Sequence, residues 1–167
     1  MRAGPAALSL AARSGDRVLP LPSHHGRGTD WVVDAALAVA AEHRVPIVLD
    51  GGGPGKFLVP PLRKAARAKG VRVVEATLSD MKDACAAITQ RVVTGELLHG
   101  NWPELNGAVA SATRRDVGDR WLWKRRGEGD ITPLEAATVA LWGQDNARTR
   151  SASDQRLSEG GAAVLTI

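Results

Sequence analysis

The chain has 167 residues, with 22 Lys and Arg against 18 Asp and Glu, a net charge of +4. That length suits one domain with a real core, and the charge permits a nucleic-acid partner without demanding one. A single cysteine, Cys85, excludes an internal disulfide and any cysteine-based metal cluster. No apolar run reaches transmembrane length, and Arg13 and Asp16 arrive before any signal core. No membrane partner is expected, and a cytoplasmic location is expected by default.

Taken in chain order, Ala6 to Ala12 reads as a strand and Gly15-Asp16 as a turn. Arg17-Val18-Leu19 returns, and Pro20 and Pro22 end the hairpin. His24, His25, Gly26, Arg27 and Gly28 follow as a loop. Adjacent histidines can ligate metal, but nothing nearby completes a set, so solvated polar residues are the simpler reading. Thr29 or Asp30 is placed to cap a helix from Trp31 to His43, with Val32, Ala35, Ala36, Val39 and Ala40 on one face.

Ile47-Val48-Leu49 is a short apolar run suited to a strand covered on both faces, beside a second strand at Val71–Glu75. Asp50 stands where that run stops, and Gly51-Gly52-Gly53-Pro54-Gly55 turns the backbone sharply. Two readings of Asp50 stand: an Asp that opens a turn, or a metal or catalytic carboxylate at the carboxyl edge of a sheet. The glycine-rich turn has neither Walker spacing nor the GxGxxG pattern, although Lys56 is close.

A helix over Phe57–Lys69 buries Leu58, Leu62 and Ala65, with Pro60 and Pro61 delaying its start. Thr77 or Ser79 caps the next helix, whose stripe is Met81, Ala84, Cys85, Ile88 and Val92, up to Gly95. Pro103 opens a helix to Thr113, with Leu105, Ala108, Val109 and Ala112 inward. Arg120 to Arg126 alternates as a half-exposed strand, Trp121 and Trp123 on one side. Arg120, Lys124 and Arg126 then form a spaced row of phosphate donors; the plainer reading is a solvated basic face. Asp130 precedes a helix to Trp142 that buries Leu134, Ala137, Thr138 and Leu141. Residues 146–167 are rich in Ser, Arg, Gly and Asp and are expected to be a disordered tail behind a folded domain over 1–145.

Alternating strands and helices predict an α/β fold with covering helices. Asp50 and Asp130 are expected to meet at one edge of the sheet. Two or three carboxylates there would hold Mg2+ or Mn2+ and serve phosphodiester chemistry. Asp119 is a third candidate, with a turn or cap role as its alternative, and His99 is a candidate to orient a water or phosphate.

Several pieces carry a family resemblance. They are His99-Gly100-Asn101-Trp102-Pro103-Glu104-Leu105, Arg114-Arg115, Gly118-Asp119-Arg120-Trp121-Leu122-Trp123-Lys124-Arg125, and Asp130-Ile131-Thr132-Pro133-Leu134 through Gly143. Gly28-Thr29-Asp30-Trp31-Val32 and Leu49-Asp50-Gly51-Gly52-Gly53-Pro54 add to them. Together they resemble the C-terminal nuclease domain of phage terminase large subunits, in the form found in actinobacterial phages and prophages. The similarity spans roughly residues 6–145, and the order of the pieces carries it, since each alone is weak.

The resemblance implies a ribonuclease-H-like mixed sheet with flanking helices. It also implies a DNA-packaging endonuclease that cuts concatemeric double-stranded DNA with two carboxylate-held divalent metals. Asp50 matches the acid that ends the family's fourth strand, and Asp130 the late acid before its last helix. The family's first-strand acid has no counterpart, because Met1 to Pro5 offers no carboxylate and Asp16 lies in the later hairpin. A detached, N-terminally truncated and incompletely acidic domain is therefore expected, so enzymatic activity stays open. Implied partners are a separate terminase ATPase domain, the terminase small subunit and the portal, in a bacterial or phage-infected cell. The alternatives are a catalytically dead remnant or accessory DNA-binding domain of the same lineage, and an unrelated nucleotide-binding α/β protein.

Overall fold

The computed structural model describes residues 4–146 and the backbone of residues 162–166. Strands β1 (Pro5–Ser14) and β2 (Arg17–Arg27) form an antiparallel hairpin, closed where Gly15 takes a φ of +58°. The hairpin is longer than the sequence pattern suggests, because β2 runs through Pro20 and Pro22 and includes His24 and His25. The reason is hydrogen-bond direction. Val18, with the same parity as both prolines, sends its N–H outward to the Glu96 carbonyl, away from β1. Pro20 and Pro22 therefore lack donors that would have pointed off the edge of the sheet, where proline is tolerated. A register shift between Leu8 and Ser9 then turns His24 opposite Leu8.

Helix α1 (Val32–His43) follows. Neither Thr29 nor Asp30 caps it with a side chain; the Val32 amide instead donates to the Thr29 carbonyl. Strand β3 (Ile47–Asp50) leads through a 3-10 turn over Pro54–Leu58 into α2 (Val59–Ala68), whose first turn accommodates Pro60 and Pro61. Strand β4 (Val73–Ala76) pairs in parallel with β3. Helix α3 (Leu78–Thr94) starts on a capping box, with Thr77 and Asp80 each accepting from the other's backbone amide. The expected stripe holds at Met81, Ala84, Cys85 and Ile88 but fails at Val92, which is 60% exposed. Helix α4 (Pro103–Ser111) buries Leu105 and Ala108, while Val109 is exposed.

Strands β5 (Arg114–Val117) and β6 (Arg120–Trp123) make a separate two-stranded hairpin. Helix α5 (Thr132–Asn146) comes next, and residues 162–166 run as β7 (Ala162–Thr166). Those five residues fall in the stretch expected as a tail; residues 147–161 and 167 lie outside the described set. The main sheet has the order β2-β1-β7-β3-β4, with β1 antiparallel to β2 and β7, and with β7, β3 and β4 mutually parallel.

β3 is thus interior, and its alternation explains its composition. Ile47 and Leu49 pack with α1 and α2 on one face, and Val48 packs on the other with α3, α4 and α5. Helix α5 lies across β1, β2 and β7 and is covered from outside by α3, α4 and the β5–β6 hairpin. Every residue from Pro133 to Gln144 is consequently buried, where one face was expected. The molecule is mixed α/β, and no helix among the described residues is long and apolar enough to cross a membrane.

Candidate functional site

Asp50 ends β3 at the carboxyl edge of the parallel strands, and it serves the turn and an ion pair at once. Its Oδ1 accepts from the Gly52 amide at 2.9 Å, and its Oδ2 accepts from Arg125 Nη2 at 2.5 Å. Gly53 makes this possible. A Cβ there would stand 2.6 Å from Asp50 Oδ2 and 2.9 Å from Arg125 Nη1, so a side chain at 53 would push this ion pair apart. The Gly52 amide is committed to the Asp50 carboxylate and the Gly53 amide to its carbonyl, so these two amides are not offered to a phosphate.

Arg125 follows the end of β6 and turns inward. Its Nε donates to Glu135 Oε1 at 2.5 Å while its Nη2 holds Asp50. Glu135 lies in the first turn of α5, and its side chain is only 5% exposed, against 13% for Asp50 and 31% for Arg125. Burial pushes the Glu135 carboxyl upward in pKa, and the guanidinium pulls it back only in part. Asp50 and Asp130 push it the same way as burial. The guanidinium is itself desolvated, yet Glu135 and Asp50 outweigh that and bind its proton more firmly.

Asp130 stands just ahead of α5. Its Oδ1 accepts from the Thr132 amide at 2.9 Å and the Thr132 hydroxyl at 2.8 Å, and its Oδ2 is 2.7 Å from His25 Nε2. Asp50 and Asp130 share no hydrogen-bond partner; Glu135 is the group on which both act, each raising its pKa. A cleft of about 970 Å³ opens over it, lined among others by His25, Arg27, Phe57, Arg125, Asp130 and Glu135.

The other sequence candidates are placed elsewhere. Asp119 is an exposed residue of the β5–β6 turn, at the opposite end of β6 from Arg125. His99 accepts from the Asn101 amide through Nδ1 and is exposed. Arg120 is bound to Asp83 and to the Ser79 carbonyl and hydroxyl, so it fastens the hairpin to α3 and leaves the expected row of donors. β6 ends at Trp123, so Lys124 and Arg126 lie beyond the strand; both are exposed.

Three residues were missed: Arg125, Glu135 and His25. One left a signal. Glu135 is the only charged residue between Ile131 and Gly143, and a lone carboxylate in a buried helix needs a partner. Arg125 left none: β6 ends at Trp123, Leu122 is the buried residue of that strand, and Trp121 and Trp123 are half-buried.

A divalent ion does not fit this arrangement. Asp50 and Glu135 are turned onto a guanidinium, and Asp130 onto His25 and Thr132. Among the described residues no group of three or more His, Cys, Asp or Glu is disposed to hold a metal. Comparison with protein-family models, with curated proteins and with solved structures gives no match to this chain.

Proposed function

We propose that the chain is a nuclease domain of the phage terminase large-subunit lineage, of ribonuclease-H-like topology, which binds double-stranded DNA and acts on its phosphodiester bonds. The observation that carries this reading is a cleft lined by Asp130, Glu135 and Arg125, with Asp50, 80 positions before Asp130 in the sequence, paired to that arginine. An antiparallel hairpin leading into parallel strands, with a long helix across the sheet, supports the topology.

On this reading the cleft takes the DNA backbone. Lys124 and Arg126, exposed on either side of Arg125 in the sequence, neutralise phosphates, and Arg27 lines the cleft wall. The resemblance assigns Mg2+ or Mn2+ to the acids, an assignment that carboxylates turned onto Arg125, His25 and Thr132 do not fit. The partners are then a terminase ATPase domain, the small subunit and the portal. A second reading, an accessory DNA-binding domain that does not cleave, is favoured by one observation: the guanidinium between Asp50 and Glu135.

Supercoiled plasmid incubated with the protein and Mg2+ or Mn2+ tests both. The expected result is weak nicking that EDTA and Asp50→Asn abolish. Robust cleavage surviving either control overturns the cleft as the centre. Plasmid binding without cleavage in either metal selects the second reading.

A further inference from the structure

Phe57 is the chain's one phenylalanine, and it is 61% exposed. It stands on the 3-10 turn over Pro54–Leu58, whose Gly55 and Leu58 are buried. The turn is therefore fixed to the domain while the ring stays in solvent. Phe57 and Pro54 line the cleft, and so does Arg27, the last residue of β2.

Topology explains how these residues meet. Strands β2 and β7 are both antiparallel to β1, and β7 is parallel to β3, so β2 and β3 run in the same direction. Their last residues, Arg27 and Asp50, share one edge of the sheet, and the turn that bears Phe57 follows Asp50. Three strand spacings separate β2 from β3, about 14 Å at about 4.8 Å each. A cleft of about 970 Å³ across that edge is on the scale of a small-ligand site, with room for roughly one or two nucleotides.

The charges of the lining select what enters. Arg125 is held by Asp50 and Glu135, and both oxygens of Asp130 are engaged by Thr132 and His25. Carboxylates in the wall repel a phosphate. A nucleobase is neutral, and the amino group of adenine or cytosine can donate to a carboxylate. Arg27 is exposed and makes no ion pair among the described residues, and Lys56, next to Phe57 in the sequence, is exposed too. A phosphate finds its cations there, and a base finds its platform at Phe57.

We propose that the cleft is a single-strand site: an unpaired base of a DNA strand stacks on Phe57, and Arg27 holds the backbone beside it. This rests on reading the protein as DNA-binding, and it names the form of DNA taken, a duplex that is frayed or opened rather than fully paired. A paired base keeps its faces inside the stack and must first be unstacked.

The test measures fluorescence anisotropy of three labelled DNAs of equal length: a blunt duplex, the same duplex with a central unpaired bubble, and a single strand. Wild type is expected to bind the bubble and the single strand more tightly than the blunt duplex. Phe57→Ala is expected to weaken both about tenfold and so to lose the preference. Phe57→Leu, which keeps an apolar side chain without a ring, is expected to lose it too, and Phe57→Trp to retain it. Arg27→Ala is expected to flatten the salt dependence of single-strand binding by about 0.7 logarithmic units per decade.

Circular dichroism checks the fold of each variant, which the exposure of Phe57 protects. A Phe57→Leu protein that binds as wild type overturns the stacking, as does an equal loss on all three DNAs in Phe57→Ala. Deoxyadenosine monophosphate that displaces the strand as effectively as unlabelled strand does overturns DNA as the occupant. Blunt-duplex binding without any gain from unpaired bases overturns this proposal and leaves the DNA reading standing, whereas no binding to any of the three overturns both. A preference for unpaired DNA without nicking of plasmid retains the single-strand site and sinks the nuclease.

Discussion

Asp130 keeps its negative charge on the donors around it. Burial alone would raise its pKa. The Thr132 amide, His25 and the Thr132 hydroxyl together outweigh burial and hold the carboxyl below its ordinary 3.8. A folded pKa below the unfolded one means that the stabilisation is present above the unfolded value and is lost as pH falls through the folded value. Urea midpoints measured from roughly pH 6 to pH 2 are therefore expected to fall more steeply for wild type than for Asp130→Asn at the acid end. Parallel curves would show that the Thr132 and His25 contacts do not discriminate charge. The two aspartates were legible because each stands at a boundary that sequence marks, a strand end before glycines and a helix start before Thr-Pro. The cation that holds Asp50 was not. Arg125 sits in a run of three basic residues, and composition treats such a run as a solvated face. Cys85, read as a small core residue, has its thiol pushed up to about 11 by burial, which fits an inert packing role.

At the scale of elements, the β5–β6 hairpin decides how the acidic centre is assembled, because it brings Arg125 to α5. It is anchored at both ends. Near its turn Arg120 binds Asp83 and Ser79 of α3, and near its other end Trp123 donates its indole N–H to the Thr138 hydroxyl at 3.0 Å. Thr138 is fully buried and passes its own proton to the Leu134 carbonyl at 2.7 Å. Replacing Trp123 with Phe leaves that chain without its outer donor and removes apolar volume, for an expected loss of about 1–2 kcal/mol in urea unfolding. Trp121→Phe is expected to cost less. Trp121 packs edge-on to Trp123 at 4.8 Å and lies under the Arg114 guanidinium at 4.1 Å, and it is only half-buried. A larger loss at Trp121 would mean that the hairpin is held from its outer face. The Trp-Leu-Trp alternation made β6 readable. β5 was not, since Arg-Arg-Asp-Val has no apolar alternation, and its pairing with β6 is what makes it a strand.

Across the whole molecule, the two-faced sheet and its covering helices followed from apolar runs at helical and strand spacing. The central position did not. β7 lies between β1 and β3 but comes last in sequence, and nothing local in Ala162–Thr166 indicates partners more than 100 positions away. Long-range pairing of this kind is settled by the vacancy that the other strands leave, which no window of sequence contains. The same global view governs DNA binding. A net charge of +4 is too small to grip a duplex by itself, so the position of the free basic groups matters. Arg120 is spent on α3, Arg114 on Trp121 and Arg125 on the acids, while Arg115, Lys124 and Arg126 are exposed, the last two on either side of Arg125. Phosphate binding releases counter-ions, so affinity falls with salt at about 0.9 logarithmic units per contact and per decade. The Lys124→Ala, Arg126→Ala double variant is therefore expected to bind unrelated duplexes more weakly by one common factor, with a salt slope flatter by about 2. Arg120→Ala is expected to lower stability first and to leave the slope alone. Fluorescence anisotropy of labelled duplexes at several salt concentrations reads both quantities. An unchanged slope in the double variant removes this end of the hairpin from the DNA interface, and a flattened slope in Arg120→Ala shows that its bond to Asp83 yields to phosphate.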